Sequence, residues 1–202
     1  GQAAAFQGDY SLAFTGAWTF TNTTANNTLT NNIVSGKTLT FSGSSGTWNA
    51  ITANRTLTFN GSGDTVWSVP TTTSTLFGSN ITYSGTGSLT IGALQDAFKA
   101  TVAPPTLTVS SGTVRIGADN VLPTGATYGN TVMSPAVSVT ATFNLNGYAQ
   151  NFNGFTATSA GSSIFEANSS TARTVTFGLN DQAVNIGSIT ASTPVFASFA
   201  FR

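Results

Sequence analysis

Residues 56–67 read TLTFNGSGDTVW, and residues 38–48 read TLTFSGSSGTW. In each stretch threonine alternates with an apolar residue, and a corner rich in glycine, serine or asparagine follows. Alternation with a period of two is typical of a β-strand, because successive side chains of a strand point to opposite faces. Threonine favours extended backbone through its branched Cβ, and glycine and asparagine tolerate the positive φ angles of tight corners.

Related stretches recur along the chain, with SLTIGA beginning at Ser88, TLTVSSGTVRIG at Thr106 and TVTFGLN at Thr174. The interval from Thr38 to Thr56 is 18 residues, and so is the interval from Ser88 to Thr106. Self-similarity at this period indicates a solenoid, in which each coil buries its apolar side by stacking on the next. The sequence predicts an all-β parallel β-helix of roughly ten coils, about 4.8 Å apart. A β-sandwich with a donated strand is the alternative, since short strands separated by turn residues fit both folds.

Helical patterns are rare in this sequence. Residues 92–101, GALQDAFKAT, are the best candidate and predict one or two helical turns. No run of about 18 consecutive apolar residues occurs, so the sequence predicts no transmembrane helix.

The composition excludes one class of partner and favours another. Apolar residues make up 40% of the 202 residues, which is enough for a core, but charged residues make up 6% and the net charge is zero. Ordinary soluble domains carry about 25% charged residues. The chain has no basic stripe, so we expect no binding of nucleic acid. A surface so poor in charge favours self-association, which makes identical subunits the expected partners.

Several residue types that carry chemistry are missing. Cysteine and histidine are both absent, which excludes disulfides, thiolate metal sites and an ordinary Ser–His–Asp triad. A single GSGD motif at Asp64 supplies too few ligands for calcium, and turn formation accounts better for Asp64 and Asp119. We therefore expect no enzymatic activity, no cofactor and no bound metal.

Two functional alternatives stay open at this point. A polysaccharide-degrading β-helix enzyme would need paired carboxylates, or carboxylates beside a cation, in one groove. The candidates for such a groove are Asp64, Asp119, Asp181 and Glu166 with Arg115 or Arg173. An adhesin or glycan-binding domain would use cell-surface glycans as partners. Trp48 and Trp67 end related strands, so they would stack on adjacent coils, either as a sugar platform or as core.

The N-terminal stretch at residues 5–20, AFQGDYSLAFTGAWTF, places large apolar residues at most even positions. One interpretation is a capping coil with corners at Gly8 and Gly16, since terminal repeats close the core of a solenoid. The other is a donor strand that fills a groove on another subunit. We divide the chain into an N-terminal extended strand, residues 1–20, and a β-solenoid domain, residues 21–202. The first residue is Gly1 and not Met, which we interpret as a mature chain or a fragment.

The C-terminal stretch STPVFASFAFR is similar, because its apolar residues alternate on one face. Two apolar termini indicate a head-to-tail contact, and such a contact builds a filament when it does not close. The predicted assembly interface consists of Phe6, Tyr10, Leu12, Phe14, Trp18, Phe20, Val195, Phe199 and Phe201.

Residues 106–155 contain TLTVSSGTVRIGADNVLPTGATYGN and then ATFNLNGYAQNFNGF. This segment resembles the autotransporter-associated β-strand repeat of bacterial surface proteins, with the match in the strand and turn before Gly112, in residues 120–125 and in residues 145–148. Residues 126–141 depart from the pattern through an apparent insertion. The resemblance implies a right-handed parallel β-helix, exported to the exterior or the cell surface of a bacterium.

These features together predict a secreted structural subunit. It would self-assemble into an extracellular filament, sheath or surface layer through head-to-tail contacts of its apolar terminal strands.

Overall fold

The structure is a computed structural model that describes residues 2–20, 25–48, 55–71, 80–96, 98–99, 103–157, 161–166, 173–179, 184–185 and 198–201. Within them the chain forms twenty short strands, all paired in parallel. The strands are β1 Ala3–Gly8, β2 Leu12–Phe14, β3 Trp18–Phe20, β4 Asn27–Ile33, β5 Thr38–Phe41, β6 Gly46–Trp48, β7 Thr56–Asn60, β8 Asp64–Trp67, β9 Asn80–Tyr83, β10 Ser88–Ile91, β11 Thr106–Val109, β12 Gly112–Ile116, β13 Asn130–Met133, β14 Thr140–Asn144, β15 Gln150–Asn151, β16 Phe155–Ala157, β17 Ser162–Glu166, β18 Thr174–Phe177, β19 Val184–Asn185 and β20 Ser198–Phe201.

The strands stack into a parallel β-solenoid, which confirms the predicted fold class and excludes the sandwich. Sheet 1 has eight strands in the order β1-β4-β7-β9-β11-β13-β16-β19, and sheet 2 has seven in the order β2-β5-β8-β10-β12-β14-β17. The third side holds the strand pair β3-β6 and the three strands β15-β18-β20. Beyond β6 this side continues through Thr71, which forms single parallel bridges with Gly46 and with Gln95. Each coil therefore contributes one strand to sheet 1 and one to sheet 2 before it crosses the third side.

The coils are longer than the sequence predicted. Thr140 pairs with Ser162, 22 positions on, and Asn27 pairs with Leu57, 30 positions on. The longest sheet has eight strands, where ten coils were expected. The 18-residue interval joins strands of different sheets, since Thr38 begins β5 of sheet 2 and Thr56 begins β7 of sheet 1. Those two strands are similar in sequence, but they are not equivalent in the fold.

The predicted helical turns at residues 92–101 are wrong for the described part of that stretch. Gln95 forms a parallel bridge with Thr71, and the Phe98 amide donates to the Gln95 carbonyl at 2.9 Å in a turn. The backbone of Gln95 is thus used in pairing between coils, which leaves it unavailable for a helix.

The apparent insertion at residues 126–141 is a regular part of the solenoid. Asn130–Met133 is β13 of sheet 1 and pairs with β11 on one side and β16 on the other. Residues 134–139 form the corner that leads into β14. The segment departs from the repeat pattern because the corner between β13 and β14 is long. Its strand, β13, still lies in sheet 1 between β11 and β16.

The core is formed by the inward-pointing residues of the stacked strands. In β5, Leu39 and Phe41 are buried, whereas Thr38 and Thr40 are half-buried and point outward. The register between coils aligns inward residues into rows along the solenoid. One such row of sheet 2 consists of Phe14, Phe41, Trp67, Ile91 and Ile116.

The N-terminal apolar stretch forms the first coil of the solenoid. Corners at residues 9–11 and 15–17 divide it into β1, β2 and β3, and Gly8 has a φ of 136° at the first corner. Each of the three strands pairs with its counterpart in the second coil. Residues 2–20 therefore do not extend as one ribbon in this structure.

Buried amide side chains replace strand pairing on the third side, where the ladder is interrupted between β6 and β15. Gln95 Nε2 donates to the carbonyls of Val69 at 3.2 Å and Ala93 at 2.7 Å. Gln150 Nε2 donates to the Leu122 carbonyl at 2.7 Å, and the Leu122 amide donates to Gln150 Oε1 at 3.2 Å. An unpaired buried backbone group costs about 1–3 kcal/mol, so these amides stabilise the least regular side of the coil.

Candidate assembly surface

Three of the predicted interface aromatics point inward from the first coil. Phe6, Phe14 and Trp18 are partly buried and pack against the core. The ring centroids of Phe6 and Phe14 are 5.5 Å apart, and the Trp18 ring meets that of Phe41 edge-on at 4.5 Å. These rings therefore cover the core of the second coil.

Two other predicted residues of the N-terminal stretch, Tyr10 and Leu12, are exposed. Tyr10 is 81% exposed at the corner between β1 and β2, and Leu12 is 39% exposed in β2. The backbone of Phe20 belongs to β3. Leu12 nevertheless lies opposite the buried Leu39, as Phe14 lies opposite the buried Phe41. The even positions of the strands thus point inward from different sides of the coil, because the corners change the direction of the chain twice.

The predicted C-terminal interface lies partly within the described residues. Phe199 and Phe201 belong to β20, whose backbone pairs with β18, so that Phe201 lies opposite Phe177. Val195 lies outside the described residues. The C-terminal stretch therefore adds a strand to the third side.

The first coil has open strand edges and an apolar cavity. β1, β2 and β3 each pair on one side, and no strand of the described part of the chain covers the other side. Alternate residues of an edge strand present unpaired N–H and C=O groups, which readily pair with another strand. A cavity of about 420 Å³ opens here, and its lining includes Ala4, Phe6, Trp18, Leu29 and Leu57. A further coil stacked on this end of the solenoid would cover both the open strand edges and the cavity.

The charged residues of the sheet 2 strands form a separate polar face. Arg115 Nη1 donates to Ser88 Oγ at 3.2 Å, and Ser88 Oγ donates to Asp64 Oδ1 at 2.6 Å. Asn144 Nδ2 donates to Glu166 Oε2 at 2.8 Å. The stacking of coils thus brings Asp64 and Arg115 together through a serine on the intervening strand.

The carboxylates of this face are too far apart to act as a catalytic pair. Asp64 and Glu166 lie four strands apart in sheet 2, which is about 19 Å at the usual strand spacing. Glycosidases place their two carboxylates about 5–9.5 Å apart. Asp119 lies at another corner, where its Oδ1 accepts a backbone N–H of the next coil at 2.8 Å. Arg173 is exposed just before β18, and Asp181 lies outside the described residues.

A polar cluster that the sequence did not predict lies between residues 96–99 and Tyr128. Tyr128 Oη donates to Asp96 Oδ1 at 2.6 Å, and Lys99 Nζ donates to Asp96 Oδ2 at 3.0 Å. The hydrogen bond from Tyr128, with a further contribution from Lys99, lowers the pKa of Asp96. The bond to Asp96 raises the pKa of both Lys99 and Tyr128. These groups bind one another, so the cluster joins Asp96 and Lys99 to the corner before β13.

Trp48 and Trp67 do not form a sugar platform on adjacent coils. Trp67 is 2% exposed in β8 of sheet 2, with its ring 5.3 Å from that of Phe41 and 5.6 Å from that of Phe59. Trp48 belongs to β6 on the third side, where its backbone pairs with Phe20. The two strands are not equivalent, and the interpretation of Trp67 as an exposed platform is wrong.

Among the residues that the structure describes, no group of three potential metal-binding side chains is found. The same residues include no helix with the length and apolar character needed to cross a membrane. Comparison of the chain with models of known protein families, with curated proteins and with solved structures found no match. The β-solenoid is consistent with a β-helix repeat protein, and no family match confirms the more specific resemblance to the autotransporter-associated repeat.

Proposed function

We propose that this chain is a secreted structural subunit that assembles end to end into an extracellular filament, sheath or surface layer. The observation that carries the proposal is the open first coil, where no described strand covers the outer edges of β1, β2 and β3 and a cavity of about 420 Å³ lies beside them. Such an end is a template for another strand. A second copy of the chain would supply that strand and fill the cavity.

The direction of the strands favours a head-to-tail contact. All strand pairs are parallel, so a strand added to β1, β2 or β3 continues the pattern when it runs the same way. The far end of a second copy supplies strands of that direction, and β20 lies at the edge of its sheet. A contact between unlike ends that does not close repeats without limit and gives a filament.

Apolar burial and low charge both support this contact. Large apolar side chains, including Phe6, Trp18 and Leu57, line part of the cavity, beside polar residues such as Asn27 and Thr28. Each large apolar side chain buried against the apolar part would contribute about 1.5–3 kcal/mol. The zero net charge and the small number of charged residues leave little repulsion between copies. We assign the apolar C-terminal stretch, residues 194–201, as the segment that approaches the cavity.

The repeat-like segment at residues 106–155 supports an external location. Its resemblance to the autotransporter-associated repeat favours export to the surface of a bacterium. The proposal includes no catalysis and no cofactor, and it rests on architecture.

A matched pair of substitutions in β1 tests the end contact. Ala4 pairs with the inward Leu29 and lines the cavity, whereas Ala5 pairs with the outward Thr30. An inward charge at an edge blocks strand addition. We expect rods by electron microscopy for the unmodified chain and for Ala5→Glu, and single particles for Ala4→Glu at the same concentration. Circular dichroism and thermal unfolding establish that both variants keep the fold.

Two results would contradict the proposal. The first is an unmodified chain that stays a single particle in solution scattering at the highest concentration it reaches. The second is an Ala4→Glu chain that forms rods as readily as Ala5→Glu. Deletion of residues 1–20 is a weaker test, because β4, β5 and β6 would then form a new open end of the same kind.

A further inference from the structure

The outer face of sheet 1 is uncharged, in contrast to that of sheet 2. None of the eight strands of sheet 1 contains Asp, Glu, Lys or Arg. The strands of sheet 2 carry Asp64, Arg115 and Glu166. The two faces belong to the same coils and follow the same alternation of inward and outward residues, so their difference in charge is not imposed by the fold.

Threonines form a regular array on the outer face of sheet 1. The register of the strands places threonine at five of six consecutive positions of the central row, which consists of Thr28, Thr58, Thr82, Thr108, Val132 and Thr156. A neighbouring row alternates threonine and asparagine and consists of Thr56, Asn80, Thr106 and Asn130. Positions in a row repeat about every 4.8 Å, and the two rows lie about 6.6 Å apart along the strands.

The array is held in place by the solenoid. Threonine is stiff at χ1 because its Cβ is branched, and register pairing fixes the backbone beneath each side chain. Asn80 Oδ1 accepts hydrogen bonds from the Thr106 amide at 2.9 Å and from Thr106 Oγ1 at 3.2 Å. Asn130 Oδ1 accepts from the Gly154 amide at 3.0 Å. Asparagines thus join successive coils along one border of the threonine row.

The central hydroxyls have no partner within the described chain. Thr58, Thr82 and Thr108 are half-buried between their neighbours, and their Oγ1 atoms form no hydrogen bond with any described residue. A hydroxyl is both a donor and an acceptor, so each of these groups is available to partners beyond the described chain, such as water. Each threonine also presents a methyl group beside its hydroxyl. The face therefore offers hydroxyl and methyl groups at fixed repeats in two directions.

The chemistry of this face fits ordered water better than a polymer. A polyanion requires cations, which the strands of sheet 1 lack. A sugar platform requires exposed aromatic rings, and the aromatic residues of the central strands, Phe59 and Tyr83, are buried in the core. The two repeats of the array are close to oxygen repeats on the faces of hexagonal ice. Hydroxyls on that lattice can join the water network, while the methyl groups occupy the spaces between water molecules.

We infer that the outer face of sheet 1 binds ice. Each threonine contributes a weak contact, but a rigid array engages many lattice sites at once, and simultaneous engagement multiplies the affinity of the separate contacts. The inference does not depend on the end-to-end contact, because the face runs along the side of the solenoid.

The test compares substitutions on the two faces of the same coil. Thr82 lies in the central row of sheet 1, and Thr90 holds the corresponding outward, half-buried position in β10 of sheet 2. We expect the unmodified chain to arrest ice growth, measured as thermal hysteresis, and to inhibit ice recrystallisation. Thr82→Tyr should reduce both activities about tenfold, because one misplaced ring lifts its neighbours off the lattice. Thr90→Tyr should leave both unchanged, with circular dichroism as the check on folding.

Thr108→Tyr in the next coil serves as a second variant if Thr82→Tyr does not fold. The inference is overturned if the unmodified chain shows neither thermal hysteresis nor inhibition of recrystallisation. It is also overturned if Thr90→Tyr loses as much activity as Thr82→Tyr. Binding to insoluble cellulose or chitin that Thr82→Tyr abolishes, without any effect on ice, would assign the face to a polysaccharide and overturn it equally.

Discussion

Tyr83 is a buried side chain whose hydroxyl group lowers the stability of the protein. It is 2% exposed, and its Oη has no hydrogen-bond partner among the described residues. Burial raises the pKa of Tyr83 strongly, and the charge of Asp64 adds to the rise while Arg115 opposes it. A buried hydroxyl without a partner is destabilising, so the ring of Tyr83 contributes to stability and its hydroxyl opposes it.

Tyr83→Phe should therefore stabilise the protein by about 1 kcal/mol at neutral pH. The raised pKa adds a second expectation, because the folded state keeps the proton that the unfolded state loses. This difference leaves the free energy of unfolding unchanged below the ordinary tyrosine pKa of about 10 and lowers it as the pH rises above that value. The advantage of Tyr83→Phe should grow between pH 9 and pH 11, measured by urea unfolding. The exposed Tyr10→Phe is the control, and a loss of stability in Tyr83→Phe at pH 7 would show that the hydroxyl has a partner.

Gly85 illustrates a second reason for glycine at the corners. The sequence suggested that glycine serves corners through positive φ, and Gly61 does adopt a φ of 105°. Gly85 has no positive φ, but a Cβ there would lie 2.5 Å from the Gly61 carbonyl oxygen and 2.8 Å from Tyr83 Oη. The backbones of successive corners pack directly against each other, and a side chain at position 85 would prevent that contact. The glycine is therefore required by a contact between coils, which the local sequence pattern does not reveal.

Gly85→Ala should cost about 1–3 kcal/mol, because the added methyl must displace the backbone of the preceding coil. Gly16→Ala is the matched control, since a Cβ there meets no atom within 4 Å and its φ is not positive. That substitution should change stability by about 0.5 kcal/mol or less, or raise it slightly. Thermal unfolding of the two variants measures the difference. Equal stability of the two variants would mean that the corner is loosely packed.

At the scale of strands, the alternation of threonine with apolar residues predicts where strands occur but not which sheet holds them. The stretches beginning at Thr38 and Thr56 are strands, as the pattern indicated. They lie in different sheets, because every side of a solenoid imposes the same inward and outward alternation on its strands. The buried amides Gln95 and Gln150 were also missed. In a sequence, Gln and Asn resemble surface residues, and their role depends on backbone groups of another coil.

Trp67→Ala tests the place of β8 in the core. The ring is packed against Phe41 and Phe59, so its removal should cost about 3–5 kcal/mol. Val66, its half-buried neighbour in the same strand, points outward, and Val66→Ala should cost less than about 1 kcal/mol. Urea unfolding followed by circular dichroism measures both. A Trp67→Ala chain as stable as Val66→Ala would return Trp67 to the surface and restore the sugar-platform interpretation.

At the scale of the whole molecule, composition and repeats predict the solenoid, whereas the candidate sites depend on register. Asp64 meets Ser88, 24 positions on, and Asp96 meets Tyr128, 32 positions on. Corners of variable length set these separations, and the local pattern of alternation carries no information about them. The threonine row of sheet 1 was hidden for the same reason, although each of its members lies in a strand with an alternating pattern.

The stacking of coils also determines whether the two ends of the molecule unfold together or separately. The positions of the tryptophans allow the unfolding of one end to be measured by fluorescence. Trp18, Trp48 and Trp67 all lie in the first three coils, so tryptophan fluorescence reports on that end. Near the other end, Phe155 is 1% exposed and packs with its ring 5.2 Å from that of Phe152 and 5.4 Å from that of Phe165. In a solenoid each coil contacts its neighbours alone, so stability is approximately a sum of local terms. Phe155→Ala, at a cost of about 3–5 kcal/mol, should move the urea transition seen by circular dichroism and leave the fluorescence transition in place. If both transitions move together by the same amount, the coils unfold as one cooperative unit and the local description does not hold.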